Sequence, residues 1–249
     1  MTLTIGVLGA GVMGSGIAQV TATAGYPTVC YDIDASALAK GREHVTGGRY
    51  GLERGVERGK LTREEADAAL TRLSFSDSFE QAATTDLVIE AVPEWLDLKV
   101  RVFRDLDRAA GESTILASNT SGFPIAALAA ATDRPDRVVG WHWASPAPVM
   151  RFAEIVRARD TSAPTIETVC DVASACGKNP VIVNDAPTSW GFVANRVYFA
   201  MIAEARRVVD EGVASADDVD QLMMDCFRWP TGPFGMVKGR PAAGSDAAG

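Results

Sequence analysis

The sequence predicts an α/β fold in which a doubly wound, mostly parallel sheet carries an inserted helical hairpin and precedes a small all-helical C-terminal domain. Three observations lead to this prediction. The chain opens with a short apolar strand, a glycine-rich turn and a helix. Further short apolar runs alternate with helical stretches, and after Asp185 the pattern becomes helical throughout. Such alternation is typical of parallel sheets covered by helices on both faces.

Composition narrows the class of protein. With 249 residues, of which 47% are hydrophobic, the chain is long enough for one α/β domain and a smaller second unit. The formal net charge of -8 argues against nucleic acid or an anionic membrane as a partner. Four cysteines without zinc-ligand spacing predict a reduced, cytoplasmic protein that needs no metal. We expect no signal peptide and no membrane segment.

The first elements form one crossover unit. Residues 4–8 read as a buried strand, a helix is under way at 16–20, and a second apolar run at 28–31 ends at Asp32. Strand, helix and strand in this order make a right-handed parallel unit. Additional strands are predicted at 87–89, 114–116 and 137–139.

Residues 35–73 are rich in charge and are interrupted at 59–61, which predicts two helices. Thr62 followed by Glu65 is the pattern of a capping box at the start of the second one. We therefore expect an exposed helical hairpin inserted into the sheet domain.

The C-terminal part is predicted to be helical. A long helix with apolar residues at helical spacing covers 191–213, and Ser215 begins another helix. We place a sheet domain at 1–184 and a reduced helical domain for substrate binding and dimerisation at 185–249. Its tail, from about residue 239, lacks apolar anchors and is predicted to be flexible.

Three glycines between the first strand and helix form a G-x-G-x-x-G motif: Gly9, Gly11 and Gly14. This spacing allows a tight turn, a close approach to a pyrophosphate and close helix packing, as in Rossmann-type dinucleotide sites. Asp32 at the second strand's end can accept hydrogen bonds from ribose hydroxyls and would repel a 2′-phosphate, which favours NAD over NADP. The alternatives are ordinary glycine turns and an Asp32 that caps the next helix or lies on the surface.

Polar clusters follow three later strands, at 90–94, 118–121 and 141–143. Ligands bind at the carboxyl ends of parallel strands, so these clusters are candidate site residues. His142 is the candidate base, because an imidazole titrates near neutral pH and the other histidine, His44, lies on a charged helix. The alternative is a core histidine that bonds to a backbone carbonyl.

With these clusters, the sequence resembles the 3-hydroxyacyl-CoA dehydrogenase family from about residue 3 to 236. The matching segments are IGVLGAGVMGSGIA, GKLTREEADAAL, DLVIEAVPEWLDLK, ILASNTSGFPI, HW-x-x-P-x-PVM with the following Glu154, GFVANR and WPTGPFG. The resemblance implies a homodimeric, NAD-dependent enzyme that interconverts an L-3-hydroxyacyl thioester, an acyl-CoA, and its 3-oxoacyl thioester.

The resemblance also implies roles for single residues. His142 would be the general base and Glu154 its hydrogen-bond partner, while Ser121 and Asn195 would contact the reacting oxygen and Ser145 would help to bind substrate. Glu94 and Lys99 would lie near the nicotinamide. The cofactor-binding residues implied in this way are Gly9, Gly11, Val12, Met13, Gly14, Asp32, Ala91, Glu94, Lys99, Asn119 and Ser121.

Each of these residues also has a purely structural alternative. Asn119 and Ser121 can cap the helix that is predicted to start near residue 123. Asn195 can bond within its own helix. Glu154 can pair on the surface with Arg151 or Arg157.

The chain departs from the family pattern in several places. Members usually carry Asn at the position of Ser145 and join Pro187 directly to Gly191, so we expect changes in substrate placement and at the domain junction. Members also continue well beyond Gly235, so we expect either a dimer that is built differently or a reduced helical domain.

The hairpin, which would meet coenzyme A, mixes acidic with basic residues, and this pattern favours solvated helix faces. The basic residues are Arg42, Arg49, Arg54, Arg58 and Lys60. A hydroxyacyl group bound to a carrier protein therefore stays open as an alternative substrate. Two further alternatives are a free hydroxy or sugar acid as substrate and a non-catalytic NAD-binding protein.

Overall fold

The computed structural model describes residues 2–238; the tail predicted from about residue 239 lies outside this range. The described chain contains one eight-stranded sheet with strand order β3-β2-β1-β4-β5-β6-β7-β8. The strands are β1 (Ile5–Leu8), β2 (Thr28–Tyr31), β3 (Leu73–Ser76), β4 (Leu87–Glu90), β5 (Ile115–Ser118), β6 (Val138–Trp143), β7 (Phe152–Arg157) and β8 (Asn179–Asn184).

Strands β1 to β6 are parallel, β7 pairs antiparallel with β6, and β8 runs parallel to β7. The predicted mostly parallel, doubly wound sheet is confirmed, and so are the predicted strands that correspond to β1, β2, β4, β5 and β6. Strands β3, β7 and β8 were not predicted.

Helices lie along the chain between these strands. They are α1 (Val12–Thr23), α2 (Ala35–Thr46), α3 (Leu52–Glu57), α4 (Arg63–Arg72), α5 (Phe79–Ala83), α6 (Leu96–Ala109), α7 (Ile125–Ala129) and α8 (Ala163–Ala175), with a 3-10 turn at Pro135–Arg137. The first helix begins at Val12 rather than near Gly16, and Gly14 lies in its first turn.

Both faces of the central part of the sheet are buried, because every residue of β1, β4, β5 and β6 is buried and successive side chains of a strand point to opposite faces. On β5, Ile115 and Ala117 join one core cluster with residues of α1 and α8, whereas Leu116 joins another with residues of α6 and α7. This two-sided burial explains why the central strands are continuous apolar runs.

The hairpin contains three helices instead of the two predicted, because the chain turns at Gly47–Gly51 between α2 and α3. Thr62 and Glu65 form the predicted capping box at the start of α4. The hairpin is not wholly exposed: Val45, Leu52 and Ala66 share a small core with Ala22 of α1.

The chain divides into two compact units, one up to Phe192 and a second from Val193 on. The second unit contains α9 (Val193–Asp210), α10 (Ala216–Phe227) and α11 (Pro233–Lys238). Ser215 caps α10, as predicted, and the buried Asp220 carboxylate accepts hydrogen bonds from the backbone of Phe234 and Gly235 at the start of α11. Among residues 2–238, no helix is both long enough and apolar enough to cross a membrane.

Candidate active site

The glycine motif forms a turn that suits a dinucleotide. Gly9 has φ +97°, which disfavours other residues, and a Cβ at Gly14 would lie 1.7 Å from the carbonyl oxygen of Gly9. Gly11, by contrast, faces open space and precedes α1 without any side-chain cap. The first amide groups of α1 are therefore available to a pyrophosphate, as NAD binding requires.

Asp32 follows β2, beside this turn. Its Oδ2 accepts a hydrogen bond from the amide of Ala10 at 2.7 Å, and its Oδ1 accepts one from Asp34 at 3.0 Å. The cap of α2 is Asp34, which accepts a hydrogen bond from the amide of Ser36. The alternative that Asp32 caps this helix is thus wrong, and its carboxylate lies at the edge where a ribose would bind.

A buried ion pair lies at the adjoining ends of β4 and β5. The Nζ atom of Lys99 donates to Glu90 Oε1 at 2.7 Å, and Ser118 Oγ donates to Glu90 Oε2 at 2.6 Å. Burial raises the pKa of the Glu90 carboxyl, although Lys99 acts in the opposite direction. Glu90 belongs to the polar cluster that the sequence analysis singled out at 90–94, but its pairing with Lys99 was not predicted.

Glu94 extends this cluster toward the next turn. Its Oε2 lies 3.1 Å from Lys99 Nζ, while its Oε1 accepts hydrogen bonds from Thr120 Oγ1 and from the amide of Ser121. Glu94 thereby fixes the turn that carries Ser121. The structure brings three predicted site residues together here: Glu94, Lys99 and Ser121.

Asn119 links the same turn to the histidine strand. Its Oδ1 accepts a hydrogen bond from the amide of Trp143 at 3.0 Å. The following helix, α7, is preceded by Pro124 and has no side-chain cap, so the capping alternative for Asn119 and Ser121 is wrong. The ends of β5 and β6 are consequently held side by side.

His142 and Glu154 form a buried pair at this edge. They are register partners on the antiparallel strands β6 and β7, and Nδ1 of His142 lies 2.8 Å from Oε2 of Glu154. Both side chains are buried, at 9% and 5% exposure, and the imidazole lies edge to face against Phe152. The surface pairing suggested for Glu154 is therefore wrong. Because Nδ1 is engaged, Nε2 is the ring nitrogen that can exchange a proton.

Two predicted substrate residues belong to other segments of the chain. Ser145 is exposed in the loop after β6, and Asn195 lies in the first turn of α9, in the second unit. Their proposed contacts with substrate stay predictions. Within residues 2–238, no group of three or more His, Cys, Asp or Glu side chains is arranged to hold a metal.

A cavity of about 440 Å³ opens between the hairpin, α1 and the segment after α8. Pro148 and Val149 of the loop after β6 form part of its wall. Its basic lining residues are Arg49, Arg54, Arg58, Lys60 and Lys178. Arg42, the remaining basic residue singled out in the hairpin, instead lies 5.0 Å from the ring centre of Phe75.

Comparison with known proteins identifies the family. The profile of the 3-hydroxyacyl-CoA dehydrogenase NAD-binding domain matches residues 4–186, and that of the family's C-terminal domain matches residues 191–239. A probable 3-hydroxybutyryl-CoA dehydrogenase of Bacillus subtilis is 43% identical over 231 residues, covering 93% of this chain and 78% of that protein. The mitochondrial hydroxyacyl-coenzyme A dehydrogenase of Sus scrofa is 38% identical over 234 residues, covering 93% and 74%.

Comparison with solved structures leads to the same family. The crystal structure of (S)-3-hydroxybutyryl-CoA dehydrogenase from Ralstonia eutropha superposes with a TM-score of 0.89 at 40% identity, covering 95% of this chain and 81% of that one. The glycine turn and the residues at the sheet edge fit the NAD-dependent chemistry of such proteins. The chain belongs to the 3-hydroxyacyl-CoA dehydrogenase family and is an NAD-dependent oxidoreductase.

Proposed function

We propose that this chain catalyses the reversible, NAD-dependent oxidation of an L-3-hydroxyacyl-CoA to the 3-oxoacyl-CoA. The observation that carries the proposal is the 2.8 Å contact between His142 Nδ1 and Glu154 Oε2 at the sheet edge that also bears the glycine turn. The names of the relatives support the substrate class, since they act on 3-hydroxybutyryl-CoA or other hydroxyacyl-coenzyme A compounds.

His142 is proposed to act as the base. Oxidation of a secondary alcohol removes the hydroxyl proton as the carbon loses a hydride, and NAD, when bound, supplies the hydride acceptor. The Nε2 atom of His142 takes the proton, because Nδ1 is held by Glu154. The Glu154 carboxylate stabilises the imidazolium that forms, and in the reduction direction the same imidazolium returns the proton.

Three further residues are proposed to position the substrate: Ser121, Asn195 and Ser145. Ser121 belongs to the turn that Glu94 fixes through its backbone amide. Preorganised polar groups of this kind stabilise charge that develops on a reacting oxygen. Ser145 has a shorter side chain than asparagine, so a different contact to the thioester is expected.

Coenzyme A is proposed as the acyl carrier, in preference to a carrier protein. Four basic side chains of the hairpin line the cavity of about 440 Å³, and this size lies within the range of small-molecule sites. Guanidinium and ammonium groups bind phosphates through charge-assisted hydrogen bonds. These four side chains are exposed, so the proposal is supported by their position around one cavity and not by burial.

The experiment is a matched substrate panel. NADH formation would be followed with 3-hydroxybutyrate linked to coenzyme A, linked to acyl carrier protein, and as the free acid. We expect the highest kcat/KM with the coenzyme A thioester. Equal or higher kcat/KM with either of the other two forms would contradict the proposed carrier, and absence of turnover with all three would support a non-catalytic NAD-binding protein.

Several broader features are also proposals. A boundary near Asp185 between the sheet domain and the helical domain is supported by the profile matches to 4–186 and 191–239.

A homodimer is supported by exposed apolar residues of the helical unit, such as Val197, Leu222 and Phe227, and light scattering would test it. A cytoplasmic location is supported by the four cysteines, which are all free thiols.

A further inference from the structure

Lys178 is a buried cation outside the hydrogen-bonded cluster at the sheet edge. It follows Gly177, just after α8, and only 6% of the residue is exposed. Its Nζ donates hydrogen bonds to the carbonyl oxygens of Ala147, at 2.6 Å, and Met150, at 2.8 Å. The ammonium also lies 5.1 Å from the ring centre of Trp143, a favourable cation–π distance.

Both carbonyls belong to the loop of residues 144–150, which connects β6 to β7. This loop begins two residues after His142, carries Ser145 and ends four residues before Glu154. It forms part of the wall of the basic cavity through Pro148 and Val149. The loop therefore directly follows the strand that carries the histidine and forms one side of the proposed carrier site.

The loop is held from two sides. Ala147 is buried against α1, where a Cβ at Gly16 would lie 3.3 Å from the Cβ of Ala147. Lys178 holds it on the other side through the two carbonyls. Lys178 thus connects the end of α8 to a loop that contacts the dinucleotide helix and forms part of the cavity wall.

Burial of this ammonium is costly, because no acidic side chain of the described residues forms an ion pair with it. Desolvation accordingly lowers the pKa of Lys178. Hydrogen bonds to two backbone carbonyls and the contact with the indole of Trp143 offset part of this desolvation cost. Removal of the ammonium would leave both loop carbonyls without this donor, and the loop would lose its fixed position.

We infer that Lys178 is a positioning residue for the thioester: it holds the 144–150 loop in the conformation that receives the substrate and its carrier. This inference rests on the proposed function. Because the loop contacts α1 through Ala147 but lies outside the glycine turn, the effect is expected on thioester binding and not on NAD binding. Preorganisation of a binding loop appears in KM, whereas His142 governs the chemical step.

The test compares Lys178→Met and Lys178→Gln with the wild-type enzyme. We expect Lys178→Met to raise the KM for 3-hydroxybutyryl-CoA by about tenfold, while kcat stays within about threefold and the Kd of NADH is unchanged. Lys178→Gln keeps an uncharged NH2 donor group and should show a smaller rise in KM. Lys40→Met, a change of an exposed lysine on α2, is the matched control and should leave all three constants unchanged.

The outcomes separate the two proposals. An unchanged KM in Lys178→Met with normal NADH binding would overturn the positioning role. Loss of NADH binding in both variants would assign Lys178 to folding as a whole and would also overturn it. If the wild-type protein showed no turnover, the proposed function would fail, and calorimetric Kd values for acetoacetyl-CoA would decide the role of Lys178 with the same expected ratio.

Discussion

Two ion pairs with the same separation lie in contrasting parts of the molecule. At the sheet edge, Lys99 Nζ and Glu90 Oε1 are 2.7 Å apart, and the side chains are 1% and 0% exposed. On the hairpin, Arg63 Nη1 and Glu53 Oε1 are also 2.7 Å apart, but the side chains are 53% and 44% exposed. Burial raises the pKa of Glu90, whereas the hydrogen bonds from Arg63 lower the pKa of Glu53.

The contrast shows that distance alone does not determine what a charged contact does. In the interior, a charge that loses its partner keeps its full desolvation penalty, so the pair constrains the geometry around it. On the surface, water and salt replace a lost partner almost completely. We therefore expect substitutions at the sheet edge to affect catalysis or stability strongly, and equivalent substitutions on the hairpin to have little effect.

The largest effect is expected for His142→Ala. Removal of the base should lower kcat by about 10²- to 10⁴-fold, the usual contribution of general acid–base catalysis. Steady-state NADH formation from 3-hydroxybutyryl-CoA would measure it. His44→Ala, a change of the other histidine, which is exposed on α2, is the control and should keep wild-type kcat. Equal rates for wild type and His142→Ala would exclude an imidazole base.

The next effect concerns the buried pair itself. Lys99→Met leaves Glu90 as an unpaired buried carboxylate, and it should reduce the free energy of unfolding by about 3–5 kcal/mol. Urea denaturation followed by circular dichroism would measure this loss. The double variant Glu90→Gln/Lys99→Met removes both charges and should recover part of the stability. A loss below about 1 kcal/mol in the single variant would contradict the inferred cost of the unpaired charge.

The smallest effect is expected for Arg63→Met. Its partner Glu53 remains solvated, so the melting temperature should stay at the wild-type value within the error of the measurement. Calorimetry in the same buffer as for Lys99→Met provides the comparison. A decrease as large as that of Lys99→Met would show that the exposed pair has a structural role, and the contrast between the two regions would fail.

Prediction from sequence succeeded where the signal is local. Central strands are apolar runs, and the capping boxes at Thr62 and Ser215 depend on residues three positions apart. It failed for β8, because this edge strand leaves Val181 and Ile182 exposed and has no buried apolar pattern. It also missed β7, where Glu154 interrupts the apolar run in order to face His142.

The sequence by itself determined the dinucleotide turn. Glycine is required at positions 9 and 14 by the backbone geometry of one consecutive strand, turn and helix. The sequence also restricted the choice of base to two histidines. Only the tertiary structure decided that Glu90 pairs with Lys99 and that Lys178 donates to two carbonyls of the 144–150 loop. It also places Glu154 against His142, as the family resemblance implied. These contacts join separate elements, so they depend on strand register and helix packing, which no local pattern specifies.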